Sequence, residues 1–74
     1  MSTASTIDRL AGDLAVNGHA SCPLIWDGHA TTSQAVSRAR SRLRRAARRA
    51  GVTISTASGW HDVYATVQGR TPPP

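Results

Sequence analysis

Chemistry in this chain could reside in His19, Cys22, His29 and His61, in Asp8, Asp13, Asp27 and Asp62, or in a dense run of arginines. His and Cys are the usual zinc ligands, but His19, Cys22 and His29 form no paired CxxC or HxxxH. A fourth ligand would have to come from distant His61. The expectation for Cys22 is a small buried thiol, and for the chain no metal. General acid–base work needs paired carboxylates, or a His beside a nucleophile. The dispersed Asp and His supply neither spacing, and no Gly-rich phosphate loop is present. The expectation is a protein that is not an enzyme and holds no cofactor.

The arginines are a different matter. All nine basic residues are Arg, Lys and Glu are absent, and the net charge is +5. Seven of the nine fall in one stretch, at Arg38, Arg40, Arg42, Arg44, Arg45, Arg48 and Arg49, and Gly28 to His61 contains no acid. A focused patch of one sign attracts a polyanion far better than the same charge scattered. Guanidinium is always charged, binds phosphate with two hydrogen bonds and can read guanine edges. A solvated helix face usually interleaves Glu so that i, i+4 pairs attract. Here Arg38/Arg42, Arg40/Arg44, Arg44/Arg48 and Arg45/Arg49 all repel. An external anion is therefore expected: nucleic acid, with DNA ahead of RNA, or alternatively an acidic protein.

A helix is needed to array them. Thr31, Thr32 or Ser33 can cap it. Val36, Ala39, Leu43, Ala46, Ala47 and Ala50 then recur on one face of a helix running from Gln34 to Ala50, with Gly51 as C-cap. Small residues on the apolar face imply that another element packs closely against it. Upstream, Ile7, Leu10, Ala11 and Leu14 form the stripe of a scaffold helix, near Thr6 to Val16, capped by Ser5 or Thr6 and ended by Asn17-Gly18. Segment 19–32 stays open: Leu24, Ile25 and Trp26 are a short strand or one helical turn, followed by an Asp27-Gly28 turn signal. Downstream, Val52, Ile54 and Thr56, then Val63, Ala65 and Val67, alternate with their neighbours and predict a β-hairpin. Trp60, His61 and Tyr64 gather near its tip, to stack on unpaired bases or wedge into a minor groove, or else, for Trp60 and Tyr64, to cover one face of a small sheet.

The whole is an α+β single domain over residues 1–68, with a disordered Pro-rich tail from 69 to 74. No run approaches the roughly 18 apolar residues of a membrane span, and the N-terminus lacks a signal-peptide pattern. A membrane is not among the expected partners, and the expected location is cytoplasmic. Only Val36 and Leu43 are large on the basic helix's apolar face, too little to anchor it on a bilayer surface. The all-Arg, Ala- and Thr-rich composition fits a high-GC genome, an actinobacterium's or its phage's.

Thr32-Ser33-Gln34-Ala35-Val36-Ser37-Arg38, followed by Arg40, Arg42 and Leu43, resembles the recognition helix of winged helix-turn-helix repressors. The hairpin after Gly51 takes the place of the wing. The resemblance covers roughly Thr31 to Val67. It implies that Ser33, Gln34, Ser37 and Arg38 meet base edges, that the later Arg residues meet phosphates, and that Trp60 or His61 of the wing rests on the backbone. It implies transcription regulation by a repressor or an accessory factor. Because one short helix reads few base pairs, a homodimer on paired half-sites is expected.

Overall fold

The computed structural model describes residues 3–70 and gives side-chain surroundings from residue 6 onward. Its elements are α1 (Thr3–Asn17), β1 (His19–Pro23), α2 (Thr32–Ala50), β2 (Val52–Ser58) and β3 (Asp62–Arg70). The three strands form one antiparallel sheet in the order β1-β3-β2, so the last strand lies in the middle. The fold is α+β, with both helices on one face of the sheet.

The strand periodicity explains the two faces. Ala20 and Cys22 of β1 and Val63 and Ala65 of β3 are buried and join Ile7, Leu10, Ala11 and Leu14 of α1 and Ala39, Leu43, Ala46 and Ala47 of α2 in one core. His19, Ser21, Ser55, Tyr64 and Thr66 point to the opposite, exposed face. The register places Ala20 opposite Ala65 and Cys22 opposite Val63. Ala35, Ala39 and Ala46 are wholly buried. With only a methyl group at these positions, α1 and the sheet approach the α2 backbone closely, as the Ala-rich stripe requires.

Several boundaries differ from the expectations; α2, for one, starts at Thr32, two residues before Gln34, because Thr31 is the residue that caps it. Helix α1 starts at Thr3, upstream of Ser5 and Thr6, which are therefore not its caps. The strand in the open segment is His19–Pro23, whereas Leu24 to Thr31 is turn and irregular chain containing the Leu24-Ile25-Trp26 run. The spacing does not mark strand β1, because its inward residues, Ala20 and Cys22, are small and the alternation carries little hydrophobic contrast. Finally, Gly69 and Arg70 belong to β3, opposite Thr53 and Val52, and are not the start of a tail; the remainder of the expected tail, 71–74, lies outside the described residues. Among the described residues, no helix is long and apolar enough to cross a membrane.

Candidate nucleic-acid interface

Helix α2 is fixed at both ends by local chemistry. Thr31 Oγ1 accepts from the Gln34 N–H at 3.2 Å, and Gln34 Oε1 accepts from the Thr31 N–H at 2.9 Å, a reciprocal capping box. At the other end Gly51 adopts the left-handed conformation, φ 72°, and its N–H returns to the carbonyls of Ala47 and Arg48. Glycine suits this position because other residues incur a Cβ clash there. The result is a 19-residue rod, about 28 Å long at roughly 1.5 Å per residue.

The seven arginines are not equivalent. Arg49 Nε donates to Asp8 Oδ1 of α1 at 2.7 Å. Arg38 Nη1 lies 4.0 Å from Asp27 Oδ2 and donates to the Asp27 carbonyl at 3.3 Å. Arg40 and Arg42 are half-buried at the margins of the helix face, and Arg40 Nε is buried with no hydrogen-bond partner among the described residues. Arg44, Arg45 and Arg48 are exposed and make no ion pair with any described residue. The seven thus resolve into two arginines tied to carboxylates, two held at the edges and three left for solvent.

Exposed polar residues share that outer face: Ser33, Gln34, Ser37 and Ser41. Ser41 is central, since it lines both a groove with Arg38, Arg42 and Arg45 and a second groove with Arg44, Arg45 and Arg48. Sequence reasoning passed over Ser41 because a lone serine among arginines carries no pattern; counting roughly 100° per residue from Ser37 would have placed it on the same strip. Gln34, expected at a base edge, spends its carbonyl oxygen on the capping box, so only its amide NH₂ is available to a ligand.

Like charges four apart destabilise a helix by about 0.2–0.5 kcal/mol per pair. Cations in the last turn recover about 0.3–1 kcal/mol from the helix dipole. That offset serves Arg48 and Arg49, which lie in the last turn. Arg44 and Arg45 have no such compensation, and no acidic residue occurs anywhere in α2.

Two tryptophans project at the N-terminal end of α2. Trp60, 93% exposed, borders a groove with Thr32, Ser58 and Gly59. Trp26, 59% exposed, follows Ile25, whose N–H donates to the Ala35 carbonyl at 3.4 Å. The Leu24 N–H donates to the His61 carbonyl at 3.0 Å, tying the loop to the hairpin turn, where His61 is exposed. Trp60 therefore lies at the hairpin tip, not over the sheet. Tyr64 stands half-exposed on the outer face of the sheet. In the sequence Trp26 stands only as part of a short apolar run.

His19 and Cys22 point to opposite faces of β1, and among the described residues no three His, Cys or Asp side chains come together as a metal set. Burial raises the Cys22 thiol pKa, against the lowering influence of Arg42 and Arg9 and with a smaller raising one from Asp62. The chain matches no protein-family model, no curated protein and no solved structure. The short helix that precedes the recognition helix in winged helix-turn-helix proteins has no counterpart between β1 and α2, where Leu24 to Thr31 is turn and irregular chain.

Proposed function

We propose that the protein binds duplex DNA through the outer face of α2, as a small repressor or architectural accessory factor. The observation that carries this reading is the exposed triad Arg44, Arg45 and Arg48 around Ser41, left without carboxylate partners among the described residues on a helix capped at both ends. Arg44, Arg45 and Arg48 contact phosphates, and Ser37, Ser41, Ser33 and the Gln34 amide face the base edges. Arg38 and Arg49 join by exchanging Asp27 and Asp8 for phosphate. Arg40 and Arg42 fix the helix margins, while Trp60 and His61 rest on the flanking backbone. Two copies on paired half-sites would supply the specificity that one helix lacks. This role places the protein with the genome, in the cytoplasm of a bacterial host.

The test is fluorescence anisotropy of a labelled random-sequence duplex across a salt series, for the wild type and for Arg44→Gln/Arg45→Gln/Arg48→Gln. The expected slope of log K against log salt is on the order of −3 to −5 for the wild type, and shallower by about 2 to 3 in the variant. Absence of binding at low salt overturns the proposal. A second reading is favoured by Trp26 and Trp60, because exposed tryptophans are frequent anchors of protein interfaces. In it, the Arg face docks on an acidic protein. Capture from nuclease-treated lysate separates the two, since a protein partner survives the nuclease.

A further inference from the structure

A cleft of ≈ 320 Å³ opens between α1, α2 and the end of β1, and Arg44, Arg45 and Arg48 are not among its lining residues. Its apolar wall includes Leu10 and Leu24, with Cys22 beside them. Its polar groups are Thr6 and Arg9 from α1 and Arg42 from α2. Neither Arg9 nor Arg42 pairs with a carboxylate among the described residues, whereas Arg38 and Arg49, near it on α2, both do. Both guanidiniums also act on the Cys22 thiol, which lies within reach of their charge.

We propose that this cleft binds a small amphipathic anion, with an aliphatic body against Leu10 and Leu24 and a carboxylate head between Arg9 and Arg42. Ligand sites are concave, mostly apolar and finished by a few convergent polar groups, and their volumes begin at roughly 300 Å³. The volume here is enough for a short aliphatic chain with a carboxylate head. Arg9 of α1 and Arg42 of α2 both line the cleft, and a guanidinium can meet a carboxylate with two parallel N–H bonds. An occupant would bridge α1 to α2 and neutralise Arg42 at the margin of the basic face. Binding of a small anion here does not depend on the DNA reading.

The experiment is a titration of the ¹⁵N-labelled protein with octanoate, without nucleic acid, followed by amide chemical shifts. Acetate supplies the head alone and octanol the body alone. The expected result is saturable shifts confined to residues around Thr6 to Leu10, Cys22 to Ile25 and Arg42, with acetate and octanol each at least tenfold weaker. Arg9→Ala, an exposed site whose replacement leaves the core intact, should weaken octanoate at least fivefold while thermal unfolding is unchanged. Shifts that fail to saturate, that centre on Arg44, Arg45 and Arg48, or that persist undiminished in Arg9→Ala overturn the proposal. So does equal binding of octanol, which would make the cleft merely apolar.

Discussion

Arg49 Nε and Asp8 Oδ1, 2.7 Å apart, join the last turn of α2 to α1 and withdraw one arginine from the basic face. Both side chains are more than half exposed, so the pair contributes only about 0.2–1 kcal/mol. Asp8→Asn should lower the midpoint of thermal unfolding by a few degrees, and the difference should largely vanish at 1 M salt. It also releases Arg49. If α2 binds duplex DNA as proposed, binding should tighten with the salt slope little changed, because Arg49 no longer has to give up Asp8 to reach its phosphate. A large loss of stability, or one insensitive to salt, would show that the contact is not an ion pair.

Leu43 is the one large side chain on α2 with no exposed surface, and it joins the core with Leu10, Leu14 and Val63. Its neighbours on the stripe are alanines, which cannot expand to fill a void. Leu43→Ala should therefore cost about 2–5 kcal/mol, a large share of the total for so small a domain. Urea unfolding checks this. A loss below about 1 kcal/mol would mean that the helices can collapse inward and that the Ala packing is loose.

Gly59 makes room for an aromatic ring. A Cβ at this position would lie 2.6 Å from Tyr64 Cε2 and 3.3 Å from the Asp62 carbonyl oxygen. Gly59→Ala must displace the ring from its rotamer, at about 0.5–1.5 kcal/mol. The same substitution in a Tyr64→Ala background should cost less, and the two changes should be non-additive in a double-mutant cycle. Additivity would mean that the ring does not lie over the turn. Because Trp60 follows Gly59 directly, its fluorescence should also report the displacement.

Much of the fold is legible in residue spacing. The Ala-rich stripe, the Gly51 stop and the Val52/Ile54, Val63/Ala65 alternation all repeat a pattern that burial enforces, so α2 and the hairpin could be read directly. Strand β1 could not, since Ala20 and Cys22 are too small to mark a face and their partners, Ala65 and Val63, lie more than 40 positions away. The partition of the arginines was illegible for the same reason. Asp8 and Asp27 reach Arg49 and Arg38 only after the chain has folded back. Helical angle alone assigns all seven guanidiniums to one surface, and the acids that remove two of them arrive from other elements.

Cys22 links stability to alkaline pH. Its thiol is buried in the core, and burial holds its pKa above the usual value of 9.0. The unfolded chain therefore loses this proton before the folded one does. The contribution to stability is fully present below the unfolded value and declines as pH rises above about 9 toward the folded value. Arg42 and Arg9 limit the decline by favouring the thiolate, although burial outweighs them. Urea midpoints taken from pH 7 to 10 should fall more steeply for the wild type than for Cys22→Ala, which lacks the ionisable group but leaves a small void and so starts lower. Parallel curves would mean that the thiol titrates alike in both states, with the two guanidiniums cancelling the effect of burial. A reversed order, with the wild type gaining relative to Cys22→Ala as pH rises, would mean that the guanidiniums hold the folded thiol below its unfolded value.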